Sequence, residues 1–395
     1  MAGLRILFVK SAAAISANYL QRAADPTSRF CADYFEYKKG RISSAQLVAR
    51  LLHIAMIGDS LSRNVYVSSA PSTFWRARRC YGNDWFLNAA EPASGGQLLH
   101  SPEYRSRMKI TRRSWATQPV LGIGCPPDAK RFDPSPESVY SVFERLDKLT
   151  PLVAMEYGGL GAMVDNGKDP QKFFRKILRT RNFSGQVTQL LSRDRFPDLI
   201  LIWIGHNNVD WAWRCPPDEL EHPEERLRRL SKHFREDYTR QIRRLIARAR
   251  IERHRAAIVV YGLVDFESFF KARAIAERLR ANNPKLYPYL GTDCKYFISM
   301  RPAYRCNLIR LVRMINEELH AMVSQMEREI EHVPNVQVRY SDALAKVDLS
   351  GVEVIHAIDG WHPSVEGHNV FAEAAYRALA PSLEFLGISR AAAAA

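Results

Sequence analysis

The chain carries five short apolar runs separated by longer stretches of helical periodicity. HIAMIG (53–58), LVAMEYG (152–158), LILIWIG (199–205), AIVVYGLV (257–264) and NVQVRY (335–340) each run into a turn and then into helix-like sequence. Most are continuously apolar rather than alternating, which is the pattern of strands covered on both faces. Amphipathic segments lie between them. The clearest is 307–330, where Leu308, Leu311, Val312, Ile315, Leu319, Met322, Met326 and Ile330 form one stripe. Others are 184–194 (SGQVTQLLSRD), the stretch SVEGHNVFAEAAYRAL near the C-terminus, and a segment ending near 149. That last one offers Ser135 as N-cap, Pro136 in the first turn, and Val139, Val142, Phe143, Leu146 and Leu149 on one face. Strand–helix alternation of this kind predicts an α/β fold, a five-stranded parallel sheet between two helical layers.

Two regions look like additions to that core. Residues 1–50 precede the first strand as an N-terminal extension, and residues 68–150 separate the first two strands by far more than one crossover helix needs. One α/β domain over 51–390 with a large insertion explains the chain better than two independent domains. A composition of 46% apolar and 25% charged residues over 395 positions excludes a disordered or fibrous chain. No run of 18 apolar residues occurs, which excludes a membrane-spanning helix.

The formal net charge is +15, and much of it sits in 225–255. There Leu and Ile recur at helical spacing among arginines and acids, so the segment reads foremost as a solvated amphipathic helix with Glu–Arg pairs. Its alternative role is contact with an anionic surface. No nucleic-acid-binding motif stands beside it, so specific nucleic-acid binding is not expected. Cys31, Cys80, Cys125, Cys215, Cys294 and Cys306 form no metal-ligand spacing and read foremost as free thiols, with one or two disulfides as the alternative. The N-terminal apolar stretch is broken by Lys10, which is short for a signal peptide and slightly favours a cytoplasmic location.

In open parallel sheets, ligands bind beyond the carboxyl ends of the strands. The first run is followed by Gly58-Asp59-Ser60-Leu61, which puts Ser60 in a tight turn where a serine can serve as nucleophile or simply cap a helix. The second ends in Tyr157-Gly158-Gly159-Leu160-Gly161, a run able to present a backbone N–H at close range. Gly205-His206-Asn207-Asn208 follows the third; the amide of Asn207 suits an oxyanion donor or an Asx-turn. Near the C-terminus, Asp359-Gly360-Trp361-His362 places an acid three residues before a histidine, where it can hold the imidazole tautomer and leave Nε2 as a base. No Gly-x-Ser-x-Gly occurs, which argues against an α/β-hydrolase nucleophile elbow, and no HExxH or P-loop occurs, so no metal or nucleotide cofactor is implied.

Ser, Gly, Asn and Asp-x-x-His, in that order and each at an expected strand end, resemble the blocks of the SGNH/GDSL hydrolases. This esterase and lipase superfamily has a flavodoxin-like α/β/α fold. The resemblance spans 53–379 and implies Ser60 as nucleophile, His362 as general base and Asp359 as its orienting acid. It implies an oxyanion hole made by the N–H of Ser60, the side chain of Asn207 and a second-block glycine. Gly159 is the preferred glycine, with Gly161 and Gly96 of the insertion as competitors. The third block usually ends in Asp, and here Asn208 stands in that place. Substrates implied by the resemblance are small-molecule, lipid or glycan esters. A glycan O-acetyl transferase or deacetylase, and an inactive binding protein using the basic helix, are the rival readings.

Overall fold

The computed structural model describes residues 14–15, parts of 36–46, 51–62, 142–164, 181–213, 223–282, 302–354 and 363–388, apart from 148, 151, 160 and 364. Each of the five apolar runs forms a strand. They are β2 (Leu52–Gly58), β3 (Leu152–Glu156), β4 (Leu199–Trp203), β5 (Ala256–Tyr261) and β6 (Val336–Ser341), all parallel. A two-residue strand that the hydrophobic pattern does not announce, β1 (Ala14–Ile15), pairs antiparallel with β3 and makes the sheet six-stranded. Two residues carry too little period-2 pattern to be read from sequence.

The strand order is β1-β3-β2-β4-β5-β6. Among the five parallel strands, counted in chain order, this is 2-1-3-4-5, the doubly wound flavodoxin-like order. β2, β4 and β5 are buried along their whole lengths, whereas the edge strand β6 alternates over its first half, with Val336 and Val338 buried. That contrast matches the continuous LILIWIG and the alternating NVQVRY.

The helices are α1 (Val142–Asp147), α2 (Phe183–Leu191), α3 (His206–Trp213), α4 (Pro223–Ile251), α5 (Phe266–Asn282), α6 (Pro302–Glu329), α7 (Val365–Ala378) and α8 (Ala380–Phe385). Every member of the apolar stripe read in 307–330 is buried. In α1, Val142 and Leu146 are fully buried and Leu149 follows at its end, while 135–141 lie outside the described residues.

α4 is the basic segment, and many of its cations are matched. Arg235 reaches Glu318 at 3.0 Å and Arg243 reaches Glu329 at 3.2 Å, both on α6, while Arg240 pairs with Asp237 and Arg248 with Glu252. Arg228 and Lys232 line the groove between the two helices. Among the described residues no helix is long and apolar enough to cross a membrane. Cys306 is an exposed free thiol; the other five cysteines lie outside the described residues.

At the amino ends of the strands, Asp198 ties three elements together. Its carboxylate accepts the N–H of His53 at 2.6 Å, lies 3.0 Å from Nε2 of His254, and lies 3.4 Å from Arg195. Burial pushes this carboxyl up, but the bonds from His254 and the His53 N–H and the charge of Arg195 outweigh it and hold the group below its usual range.

Candidate active site

The chain leaves β2 toward β3 on one side of the sheet, and β4 lies on the other. The crevice at such a switch point, beyond the carboxyl ends of the strands, is where doubly wound sheets bind ligands. Gly58 and Trp203, the last residues of β2 and β4, stand side by side in the ladder. Ser60 and Asn207 therefore follow the ends of adjacent strands, although 146 residues separate Asp59 from Gly205 in the chain.

Gly58 is a glycine for reasons of space. A Cβ there would fall 2.1 Å from Oγ of Ser62 and 3.1 Å from the carbonyl oxygen of Trp203. The chain turns at once: Ser62 N–H donates to the carbonyl of Asp59 at 3.2 Å, Ser62 Oγ donates to the same oxygen at 2.8 Å, and Ser60–Ser62 form a single 3-10 turn. Ser60 is 5% exposed, and neither its hydroxyl nor its backbone N–H has a hydrogen-bond partner among the described residues.

Strand ends lose their ladder partners, and buried peptide groups must find others. Here three amide side chains each hold both the N–H and the C=O of one residue. Gln186 of α2 accepts the N–H of Gly58 at 3.0 Å and donates to its carbonyl at 2.9 Å. Asn208 accepts the N–H of Val164 at 2.8 Å and donates to its carbonyl at 2.9 Å. Asn316 of α6 does the same for Leu263, at 2.7 and 2.9 Å. Asn208, which departs from the usual third-block Asp, thus supplies a donor that a carboxylate lacks.

Asn207 is half-buried, and its Nδ2 donates to the carbonyl of Ala162 at 2.9 Å. The residue before it, His206, bonds to Asp59 (Nδ1 to Oδ2, 2.9 Å), so the Gly-Asp-Ser turn and the Asn turn are joined directly. Gly205, at φ 135°, holds the bend before α3, because a Cβ there would meet the Phe234 ring at 2.5 Å. Below it the Tyr238 hydroxyl donates to the carbonyl of Ile204 at 3.1 Å. Burial drives that phenol far above its ordinary range, so it remains a neutral donor.

The second-block glycines differ from expectation in one respect. The N–H of Gly159 donates to the carbonyl of Gly58 at 3.2 Å, continuing the β2–β3 ladder, rather than pointing free into the crevice. Gly161, at φ 66°, closes a turn in which Ala162 N–H donates to the Gly159 carbonyl at 3.1 Å. Gly96 lies outside the described residues, as do Asp359 and His362.

The segment holding Asp359 and His362 is nonetheless bracketed. Val354 at one end and Pro363 at the other border one small apolar cavity together with Leu61, the residue after Ser60. Gly367 seals the packing behind them: a Cβ there would sit 2.3 Å from the carbonyl of Val354 and 2.9 Å from Pro363. The described residues on either side of 355–362, Val354 and Pro363, thus line the same cavity as Leu61.

Sequence reasoning missed Gln186 and the clamp of Asn208. Gln186 had a readable signal, since it shares a face with Phe183, Val187 and Leu190 and is as fully buried as they are. A polar residue on an apolar stripe needs a specific partner. Trp203, at the end of β4, is fully buried and donates Nε1–H to the carbonyl of Gly262 at 2.9 Å. The side chains of Trp211 and Trp213 lie outside the described residues.

A parallel sheet of this order, with a Gly-Asp-Ser turn and a Gly-His-Asn turn facing each other at its switch point, defines the class as a flavodoxin-like hydrolase scaffold. Residues 54–375 match the GDSL-like Lipase/Acylhydrolase family, and the chain belongs to it. Membership makes it a hydrolase of the esterase, lipase and acylhydrolase type. No curated protein sequence matches the chain. Among the described residues no group of three or more His, Cys, Asp or Glu side chains is disposed to hold a metal ion.

Proposed function

We propose that the protein hydrolyses carboxylic esters by acyl transfer through Ser60, with His362 as general base and Asp359 orienting its imidazole. The observation that carries this reading is the meeting of the Ser60 and Asn207 turns at the switch point, where Asp59 and His206 bond at 2.9 Å. The Ser60 hydroxyl attacks the ester carbonyl as its proton passes to His362. The resulting oxyanion is held by the Ser60 N–H, the Asn207 amide and a backbone N–H of the loop after β3. One Asn207 hydrogen is already fixed on Ala162, which orients the amide and leaves the other for the oxyanion. Gly159 joins as third donor by exchanging the Gly58 carbonyl for the oxyanion. His362 then protonates the leaving alcohol, and water releases the acyl group by the same route.

The substrate class is a small-molecule ester, with lipid and glycan esters both compatible. The test is covalent labelling by a fluorophosphonate, with the adduct located by mass spectrometry, alongside hydrolysis of short-chain p-nitrophenyl esters. Labelling at Ser60, near-complete loss in Ser60→Ala, and a loss of about 10²–10³ in turnover for Asn207→Ala are expected. Wild-type rates in Ser60→Ala refute the assignment.

A further inference from the structure

His206 and Asp59 are both buried, at 2% and 0% exposure, and the family blocks assign neither a role in the ester chemistry proposed above. A buried carboxylate requires donors on its oxygens. Asp59 has three: the Leu61 N–H on Oδ1 at 3.0 Å, and on Oδ2 the His206 Nδ1 at 2.9 Å and the Gly205 N–H at 3.4 Å. Two of these belong to the turn after β4, the third to the nucleophile turn itself. On its far side the imidazole faces a third loop, where the Val264 N–H beyond β5 donates to Nε2 at 3.3 Å.

That last bond sets the tautomer. A nitrogen that accepts from an amide carries no proton, so the ring proton sits on Nδ1 and is donated to Asp59. The ring has no freedom to turn, because it meets the fully buried Trp203 edge-on at 4.7 Å between centroids. One imidazole therefore ties together the turns that follow three adjacent strands, β2, β4 and β5.

We propose that His206, held as the Nδ1–H tautomer and bonded to Asp59, is a positioning residue that fixes Asn207 relative to Ser60. The proposal rests on the ester-hydrolase reading, in which Ser60 and Asn207 must address the same carbonyl carbon and its oxygen. Each lies one residue from a member of the pair, so an ångström of slack between the two turns is transmitted directly to the attack geometry. Misplacement on that scale costs about 10²-fold in rate. His206 itself touches neither substrate nor reacting atom in this scheme.

Three variants and one spectrum test it in the full-length protein. His206→Phe keeps a ring against Trp203 but removes both nitrogens; His206→Asn keeps a donor where Nδ1 stood. Expected are a fall in kcat of about 10- to 100-fold for His206→Phe with KM within about threefold, and recovery to within about tenfold of wild type for His206→Asn. Asn207→Ala combined with His206→Phe should be little slower than Asn207→Ala alone, because a donor already absent cannot be misplaced. Imidazole ¹⁵N shifts should report a proton on Nδ1 of His206 in the wild type, a readout that survives even if His206→Phe fails to fold. Wild-type kcat in soluble, folded His206→Phe, fully multiplicative losses in the double variant, or a proton found on Nε2 overturns the proposal. Failure of the ester-hydrolase reading looks different, since Ser60→Ala and Asn207→Ala would then also leave hydrolysis unchanged.

Discussion

Gln186→Leu isolates what an amide side chain contributes at the end of β2. Leucine fills nearly the same volume on α2 but offers nothing to the Gly58 peptide. The buried Gly58 N–H then loses its acceptor at 3.0 Å. Leaving such a donor unsatisfied costs about 1–3 kcal/mol. The Gly58 carbonyl keeps Gly159 N–H at 3.2 Å and loses one of two donors, worth about 0.5–1.5 kcal/mol. The Arg181 carbonyl, also bonded to Gln186 at 2.9 Å, is only part-buried and recovers water. The total is roughly 2–4 kcal/mol. At about 2 °C per kcal/mol for a large domain, the thermal midpoint should fall by roughly 4–8 °C. Differential scanning calorimetry measures it, with ester hydrolysis followed in parallel because Gly58 leads directly into Ser60. Gln186→Glu sharpens the test. Its carboxylate would face the carbonyls of Gly58 and Arg181, which raises the folded-state pKa above the ordinary value of about 4.3. The variant should thus be least impaired below about pH 4 and lose stability as pH rises. A Gln186→Leu midpoint equal to wild type would refute the idea that the strand end depends on this clamp.

Gly205→Ala should destabilise by at least about 1–3 kcal/mol from backbone strain at φ 135°, before the clash with Phe234 is counted, and urea unfolding reads the loss. Asp198→Asn removes a carboxylate whose pKa is depressed in the fold. Its contribution is present above the usual Asp value, about 3.9, and disappears as pH falls through the lower folded value. The variant should accordingly be weaker at pH 7 and show a flatter stability profile below about pH 4, checked by thermal melts across that range; parallel profiles for the two proteins would contradict the assignment. Arg243→Ala breaks an exposed pair with Glu329 and should leave the melting midpoint unchanged within error.

The strands and their burial were legible because continuous apolar runs admit few other readings. The lengths of those runs were less reliable guides. GLV at 262–264 and YG at 157–158 continue their runs but leave the regular strands, since Leu263 is gripped by Asn316 and the Val264 N–H by His206. The strand-end turns at Gly58 and Gly205 were legible for a related reason: a tight turn beside packed side chains needs a small residue at a fixed place in the local order. The clamps were not, because an amide that holds a peptide on another element leaves only a polar residue on an apolar face, as at Gln186, or no signal at all, as at Asn316.

By itself the sequence determined which segments are strands, which faces of the helices are buried, and where Ser60 and Asn207 fall relative to the strand ends. These depend on periodicity and on residues adjacent in the chain. The tertiary structure alone decided that β2 lies between β3 and β4, and hence that the two turns share one crevice. It also decided that Gly159 N–H completes a ladder, and that His206 faces Asp59. Such pairings are set by strand order and crossover packing, quantities that link residues more than a hundred positions apart and leave no periodic trace along the chain.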